Sequence, residues 1–189
     1  MAGEKRAGTW HSARLKLSDR RMHIQFITTG GTIDKIYFDA MSRFEVGESQ
    51  VEHVLREALV QFDFDVVPLM RKDSLEMTAG DRALIREHIA AQSTDRFVIT
   101  HGTDTMAETA EALEGFDDKV IVLTGALSPA RFRTTDAVFN VGMAVAAAQV
   151  SPPGVYLAMS GQIFRAGEVR KNRDANRFES TGDAPTDRS

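Results

Sequence analysis

The sequence predicts an α/β fold: a single domain on a parallel, flavodoxin/Rossmann-like sheet flanked by helices on both faces. Three observations predict it. Short apolar runs alternate with helical repeats along the chain. The inner runs, VIT, VIVLT and VYLAM, are almost continuously apolar, as parallel strands buried on both faces must be. Most of these runs end in clusters of Thr, Ser and Gly, where a strand gives way to the next connection. With 189 residues, 42% of them hydrophobic, the chain can bury one full core. Strand–helix alternation of this spacing implies βαβ crossovers and hence parallel pairing.

The elements follow in order. Residues 1–21, MAGEKRAGTWHSARLKLSDRR, are rich in basic residues and lack the apolar centre of a signal peptide. They read as a flexible N-terminal extension, with Met22 as an alternative start. The first strand is expected at His23–Thr29. DKIYFDAMSRFEVG, residues 34–47, shows no period and reads as a long loop able to close over a ligand. Val51, Val54, Leu55, Ala58, Leu59 and Phe62 fall at helical spacing, and a strand follows at Asp63–Leu69. Thr78 with Asp81 forms a capping box ahead of Leu84, Ile85 and Ile89. Further strands are expected at Phe97–Thr100, Lys119–Thr124 and Gly154–Met159. Helices are expected at Thr105–Leu113, closed by Gly115, and at Thr135–Gln149. From about Asn172 the chain is polar and aperiodic, and loop is expected there. The domain is thus expected over residues 22–179, with a flexible tail at 180–189.

Composition excludes several function classes. There is no cysteine, so disulfides, thiolate metal sites and cysteine nucleophiles are ruled out, and a reducing cytoplasm is the expected compartment. The net charge is −4, which argues against a nucleic acid or an anionic membrane as partner. No apolar run reaches the roughly 20 residues that span a bilayer. The five histidines show no ligand spacing, so neither metal nor organic cofactor is expected.

In an open parallel sheet, ligands bind at the carboxyl ends of the strands. Those ends here carry hydroxyls: Thr28-Thr29-Gly30-Gly31-Thr32, Ser74, Thr100-His101-Gly102-Thr103-Asp104-Thr105, Thr124-Gly125-Ala126 and Ser160-Gly161. ITTGGTID and VITHGTDTMAETA repeat one plan, and two such ends could meet at one site. Without cysteine or a Gly-x-Ser-x-Gly elbow, the available nucleophile is a threonine hydroxyl, inert until a base takes its proton. A lysine beside a carboxylate can serve, and Asp104 is placed to orient one. Lys35, Lys72, Lys119 and Lys171 are all candidates on composition. Backbone N–H groups at the Gly-rich turns could hold an oxyanion. His101 reads as a strand-end hydrogen-bonding residue.

TGGTI at Thr29–Ile33, HGTDTM at His101–Met106, TGA at Thr124–Ala126, D-x-x-F-N at Asp136–Asn140 and G-x-V-x-K at Gly167–Lys171 together resemble the signatures of the bacterial-type L-asparaginase family, in order and at compatible spacing. The resemblance covers the body of the chain and corresponds to the family's larger N-terminal domain, with the smaller C-terminal domain absent. It implies that Thr29 is the nucleophile on a side-chain amide, with Tyr37 supporting it. Thr103, Asp104 and Lys171 match the group that moves protons, and Asp104 also binds the substrate's α-amino group. Asp73 and Ser74 match the loop that clamps the α-carboxylate, where Leu75 departs from the usual polar residue. The backbones of Gly30, Gly102 and Ala126 line the reacting amide. Thr32 is left as a cap or a substrate contact.

The implied activity is hydrolysis of L-asparagine to L-aspartate and ammonia, with little glutaminase activity. A more open pocket and self-association as a homodimer or higher homo-oligomer are expected to follow from the absent domain, with the faces around Phe132 and Phe139 buried between copies. The alternatives are a non-catalytic asparagine-binding module and the glutamine-hydrolysing component of an amidotransferase.

Overall fold

The computed structural model describes residues 22–38 and 43–182, and of 37–38 and 43–46 the backbone alone. The expected extension, 1–21, and residues 183–189 of the expected tail lie outside the described residues.

Six strands form the central sheet. β1 (His23–Thr28), β4 (Asp63–Pro68), β5 (Arg96–Thr100), β6 (Val120–Thr124), β7 (Gly154–Met159) and β8 (Gln162–Arg165) pair in the order β4-β1-β5-β6-β7-β8. The first five are parallel, and β8 folds back antiparallel on β7. The parallel part has the 2-1-3-4-5 order of flavodoxin-like sheets, whose direction of winding reverses between β1 and β5. The two expected Thr/Gly strand ends therefore lie side by side: Thr28 is in register with Thr100, and Thr100 with Thr124.

Helices α1 (Val51–Glu57) and α4 (Ala137–Val150) cover one face, where Val51, Val54, Leu55, Val141 and Ala144 pack on Phe26, Val98 and Val122. Helices α2 (Ala79–Ala91) and α3 (Met106–Ala112) cover the other, where Ile85, Ile89, Ala110 and Leu113 pack on Ile27, Phe97, Ile99 and Leu123. Alternate residues of each inner strand feed opposite clusters, which is why those strands are apolar without a period. The Thr78/Asp81 capping box is formed in both directions at the start of α2. α1 stops earlier than its periodicity predicts: Leu59 takes a φ of 50°, and the chain turns there into β4.

Two expected loops are paired strands instead. Residues expected as an aperiodic loop form a hairpin of β2 (Lys35–Phe38) and β3 (Arg43–Val46), Lys35 lying opposite Val46. Its tip carries no Asn-Gly or Asp-Gly signal, so nothing in the sequence announced it. Near the end of the domain, β9 (Val169–Asn172) and β10 (Arg177–Ser180) make a second hairpin, which runs on from Asn172 through the stretch read as loop. VRKN and RFES are too charged to signal a strand. Their pairing is anchored by Val169 and Phe178, both buried with Phe164 against the α2/α3 face.

Candidate active site

The site lies at the carboxyl ends of β1, β4, β5 and β6. Gly31 has a φ of 95°, and a Cβ there would stand 2.5 Å from the Gly102 nitrogen, so only glycine lets the β1 and β5 turns touch. A Cβ on Gly102 would in turn stand 2.5 Å from Ser74 Oγ. Further bonds draw the β4 end into the cluster: Lys72 N–H donates to the Thr29 carbonyl at 2.9 Å, and Thr105 Oγ1 donates to the Ser74 carbonyl at 2.7 Å. Asp73 Oδ1 accepts from Leu75 N–H, shaping the short 3-10 turn Ser74–Glu76.

Lys171 reaches this cluster from the β9–β10 hairpin. Val169 and Lys171 lie on the same side of β9, and Phe178 is directly opposite Lys171 on β10, so burial of Val169 and Phe178 turns the lysine inward. Its Nζ donates to Thr103 Oγ1 and to Asp104 Oδ1, each at 2.7 Å. The other three candidate lysines are engaged elsewhere. Lys35 pairs with Asp73 at 3.0 Å and Lys72 with Asp81 at 2.7 Å, while Lys119 caps the Gln92 and Thr94 carbonyls. Among these four, tertiary pairing leaves Lys171 as the lysine joined to both Thr103 and Asp104.

The two threonines of TGGT sit in different surroundings. Thr29, only 1% exposed, continues the β1 line: its N–H and its hydroxyl both donate to the Thr100 carbonyl, at 3.1 and 2.9 Å. Thr32 opens the 3-10 turn Thr32–Asp34, is half-buried, and makes no side-chain hydrogen bond among the described residues. Thr32 and Thr103 are the residues that follow the Gly31–Gly102 contact on its two sides. Gly30 (φ 98°), Gly102, Ser74 and Thr103 are buried beneath this rim, while Asp104 and Lys171 are partly open to solvent. Ala126 is buried at the end of β6. Tyr37 falls on β2, and its side chain lies outside the described residues.

His101 is buried and neutral, its imidazolium form held down to a pKa of about 4 chiefly by burial, against the bond to Gly102 and together with the nearby Arg82 charge. Its Nδ1–H donates to the Gly102 carbonyl at 2.6 Å, and Nε2 accepts from Thr109 Oγ1 at 2.9 Å. That arrangement supports the turn and leaves no free base. Asp34, directly behind the TGGTI turn, was not foreseen. Its carbonyl accepts from Gly47 N–H and its carboxylate from Gln50 N–H, so it ties the base of the β2–β3 hairpin to the start of α1. Among the described residues no group of His, Asp or Glu is arranged to hold a metal ion, and no helix is long and apolar enough to cross a membrane.

Comparison with known proteins places this arrangement. Residues 23–187 match the family model "Asparaginase, N-terminal". The chain is 37% identical over 176 residues to L-asparaginase 2 of Escherichia coli, covering 86% of this chain and 51% of that protein. It is 32% identical over 161 residues to a probable periplasmic L-asparaginase of Haemophilus influenzae, covering 79% and 46%. The crystal structure of L-asparaginase I from Vibrio cholerae superposes with a TM-score of 0.75 at 30% identity, covering 85% of this chain and 52% of that one. The chain therefore spans about half the length of the relatives it matches. In family signatures and in sheet architecture alike, it belongs to the bacterial-type asparaginase family, corresponding to that family's N-terminal domain.

Proposed function

We propose that the chain is an amidohydrolase that cleaves the side-chain amide of L-asparagine through a threonine acyl-enzyme. The observation that carries this reading is Lys171 Nζ at 2.7 Å from both Thr103 Oγ1 and Asp104 Oδ1, beside a turn that offers threonine hydroxyls and main-chain donors. A threonine oxygen adds to the amide carbonyl and gives its proton to the Thr103–Lys171 pair. The C–N bond breaks, that proton leaves with ammonia, and water then hydrolyses the ester to L-aspartate and the free hydroxyl. Main-chain N–H groups of the Gly30 and Ala126 turns hold the developing oxyanion. Ser74 and Asp104 hold the α-carboxylate and α-amino groups.

Thr32 fits the nucleophile's role better than Thr29. A hydroxyl 1% exposed and bonded to the Thr100 carbonyl cannot meet a substrate carbon without dismantling the strand edge. A half-buried, unbonded one on the neighbouring turn can. Thr29 then serves as the lock between β1 and β5.

The substrate preference, asparagine over glutamine, and placement in the cytoplasm belong to the same proposal. So does self-association, supported by the exposure of Phe139 (62%) and Val138 (53%) on the uncharged helix α4.

Ammonia release from L-asparagine and L-glutamine tests the reading, with Lys171→Met beside the wild type. Turnover of asparagine that falls about 10²- to 10⁴-fold in the variant, the range for losing a positioned proton carrier, supports it. A wild type that binds asparagine and releases no ammonia selects the binding module instead, and turnover confined to glutamine selects the amidotransferase component.

A further inference from the structure

The turn that ends β6 is held by side chains of α4 set behind it. Asp136 accepts from Leu127 N–H, at 3.1 and 2.9 Å to its two oxygens, and from Ser128 N–H at 3.0 Å. Asn140, one helical turn on and 0% exposed, donates to the Gly125 carbonyl at 3.0 Å and to Asp136 Oδ2 at 2.9 Å. Its Oδ1 accepts from Ser160 N–H at 3.0 Å.

These partners settle which end of the amide is which, since two acceptors face Nδ2 and one donor faces Oδ1. No isostere reproduces them. Aspartate would set a carboxylate against the Gly125 carbonyl and the Asp136 carboxylate, and leucine would orphan buried polar groups. Ser160 has a φ of 52°, a left-handed conformation unusual for serine, and the bond from its N–H to Asn140 helps hold it. From Ser160 the chain reverses into β8 and then β9, which carries Lys171. One buried side chain thus grips the Gly125–Ala126 turn and the turn from which the lysine-bearing segment returns.

We infer that Asn140 is a positioning residue for amide cleavage: it sets the Gly125–Ala126 backbone and the Ser160 turn in mutual register without touching substrate. The inference rests on the proposed reaction, in which the Ala126 turn faces the reacting amide. The groups assigned to the α-amino and α-carboxylate ends, Asp104 and Ser74, lie on other strand ends that Asn140 does not contact. Its loss should therefore fall on the chemical step and spare substrate capture.

The test compares the full chain with Asn140→Asp and with Ile85→Val, a core change on the opposite face of the sheet. It reads steady-state ammonia release from L-asparagine together with amide hydrogen exchange. Asn140→Asp is expected to lower kcat about 10- to 100-fold, the effect of a misplacement of order 1 Å, while KM moves less than about threefold. The Leu127 and Ser128 amides are expected to exchange at least about tenfold faster, while those of α2 are unchanged. An equal kcat loss in Ile85→Val, a rise in KM alone, or unchanged exchange at Leu127 and Ser128 would overturn the inference. Should the wild type release no ammonia, the proposed reaction fails by itself, and local exchange alone then upholds or overturns the grip of Asn140 on the turn. Should Asn140→Asp not fold, Asn140→Ser, which shortens the side chain without adding a charge, takes its place under the same outcomes.

Discussion

Thr29 and Thr32 carry the same side chain two glycines apart, and only their neighbours distinguish them. The Thr100 carbonyl accepts both the Thr29 N–H and the Thr29 hydroxyl, so removing the hydroxyl leaves no orphaned acceptor. Thr29→Val is accordingly expected to lose about 1 kcal/mol, the net worth of one hydrogen bond. That loss lowers Tm by about 2–4 °C in a chain of this size, and asparagine turnover is retained. Thr32→Ala is expected to keep its Tm and lose turnover. Parallel melting and ammonia-release curves check the pair, and turnover lost in Thr29→Val with Thr32→Ala active would return the nucleophile to Thr29. At Gly31, a φ of 95° and a would-be Cβ 2.5 Å from the Gly102 nitrogen act together. Gly31→Ala is expected to cost at least about 2 kcal/mol in denaturant unfolding, through backbone strain and forced separation of the two turns.

The β2–β3 hairpin is secured at its base through two side chains. Lys35 pairs with Asp73 at 3.0 Å, joining the hairpin to the Ser74 turn, and Asp34 joins it to α1. Burial raises the Asp34 pKa to about 6, against the opposing pull of bonds from Gln50 and Ser49 and of the Arg71 charge. A carboxyl whose pKa is higher folded than unfolded binds its proton more tightly in the native state. Its contribution to stability is therefore greatest below about pH 4, falls as pH rises to about 6, and is constant above that. Asp34→Asn removes this dependence. Relative to wild type, its stability is expected to gain up to about 3 kcal/mol above pH 6, with the gain fading below pH 4. Thermal melts of both proteins between pH 4 and 8 check this, and a constant difference across that range would contradict it.

For the molecule as a whole, α4 runs from Ala137 to Val150 without a charged residue. One side of it is buried on the sheet while Val138, Phe139 and Val150 stand exposed. A helix apolar on both sides is ordinarily covered on both, which is the basis of the proposed self-association. Phe139→Glu is expected to convert an oligomer of the wild type to monomer while leaving the fold unchanged. Sedimentation velocity at micromolar concentration checks this, and a monomeric wild type counts against the proposal.

Sequence alone determined the five parallel strands, the four helices to within a few residues at most boundaries, and the edge of the sheet where hydroxyls and glycines collect. Those signals are local: apolar runs, helical spacing and a capping box lie within one stretch of chain. It also singled out Thr103, Asp104 and Lys171 through family motifs, although residue chemistry alone left four lysines open. The tertiary structure decided the rest, because the deciding partners are far apart in the chain. The inward turn of Lys171 depends on burial of Val169 and Phe178 in a hairpin whose strands are too charged to announce themselves. The difference between Thr29 and Thr32 depends on the Thr100 carbonyl of a neighbouring strand. Asn140, visible in sequence only as part of a motif, shows its grip on Gly125 and Ser160 once β6, α4 and β7 are packed together, since no local pattern records which carbonyl a folded chain will bring within 3.0 Å of a side-chain amide.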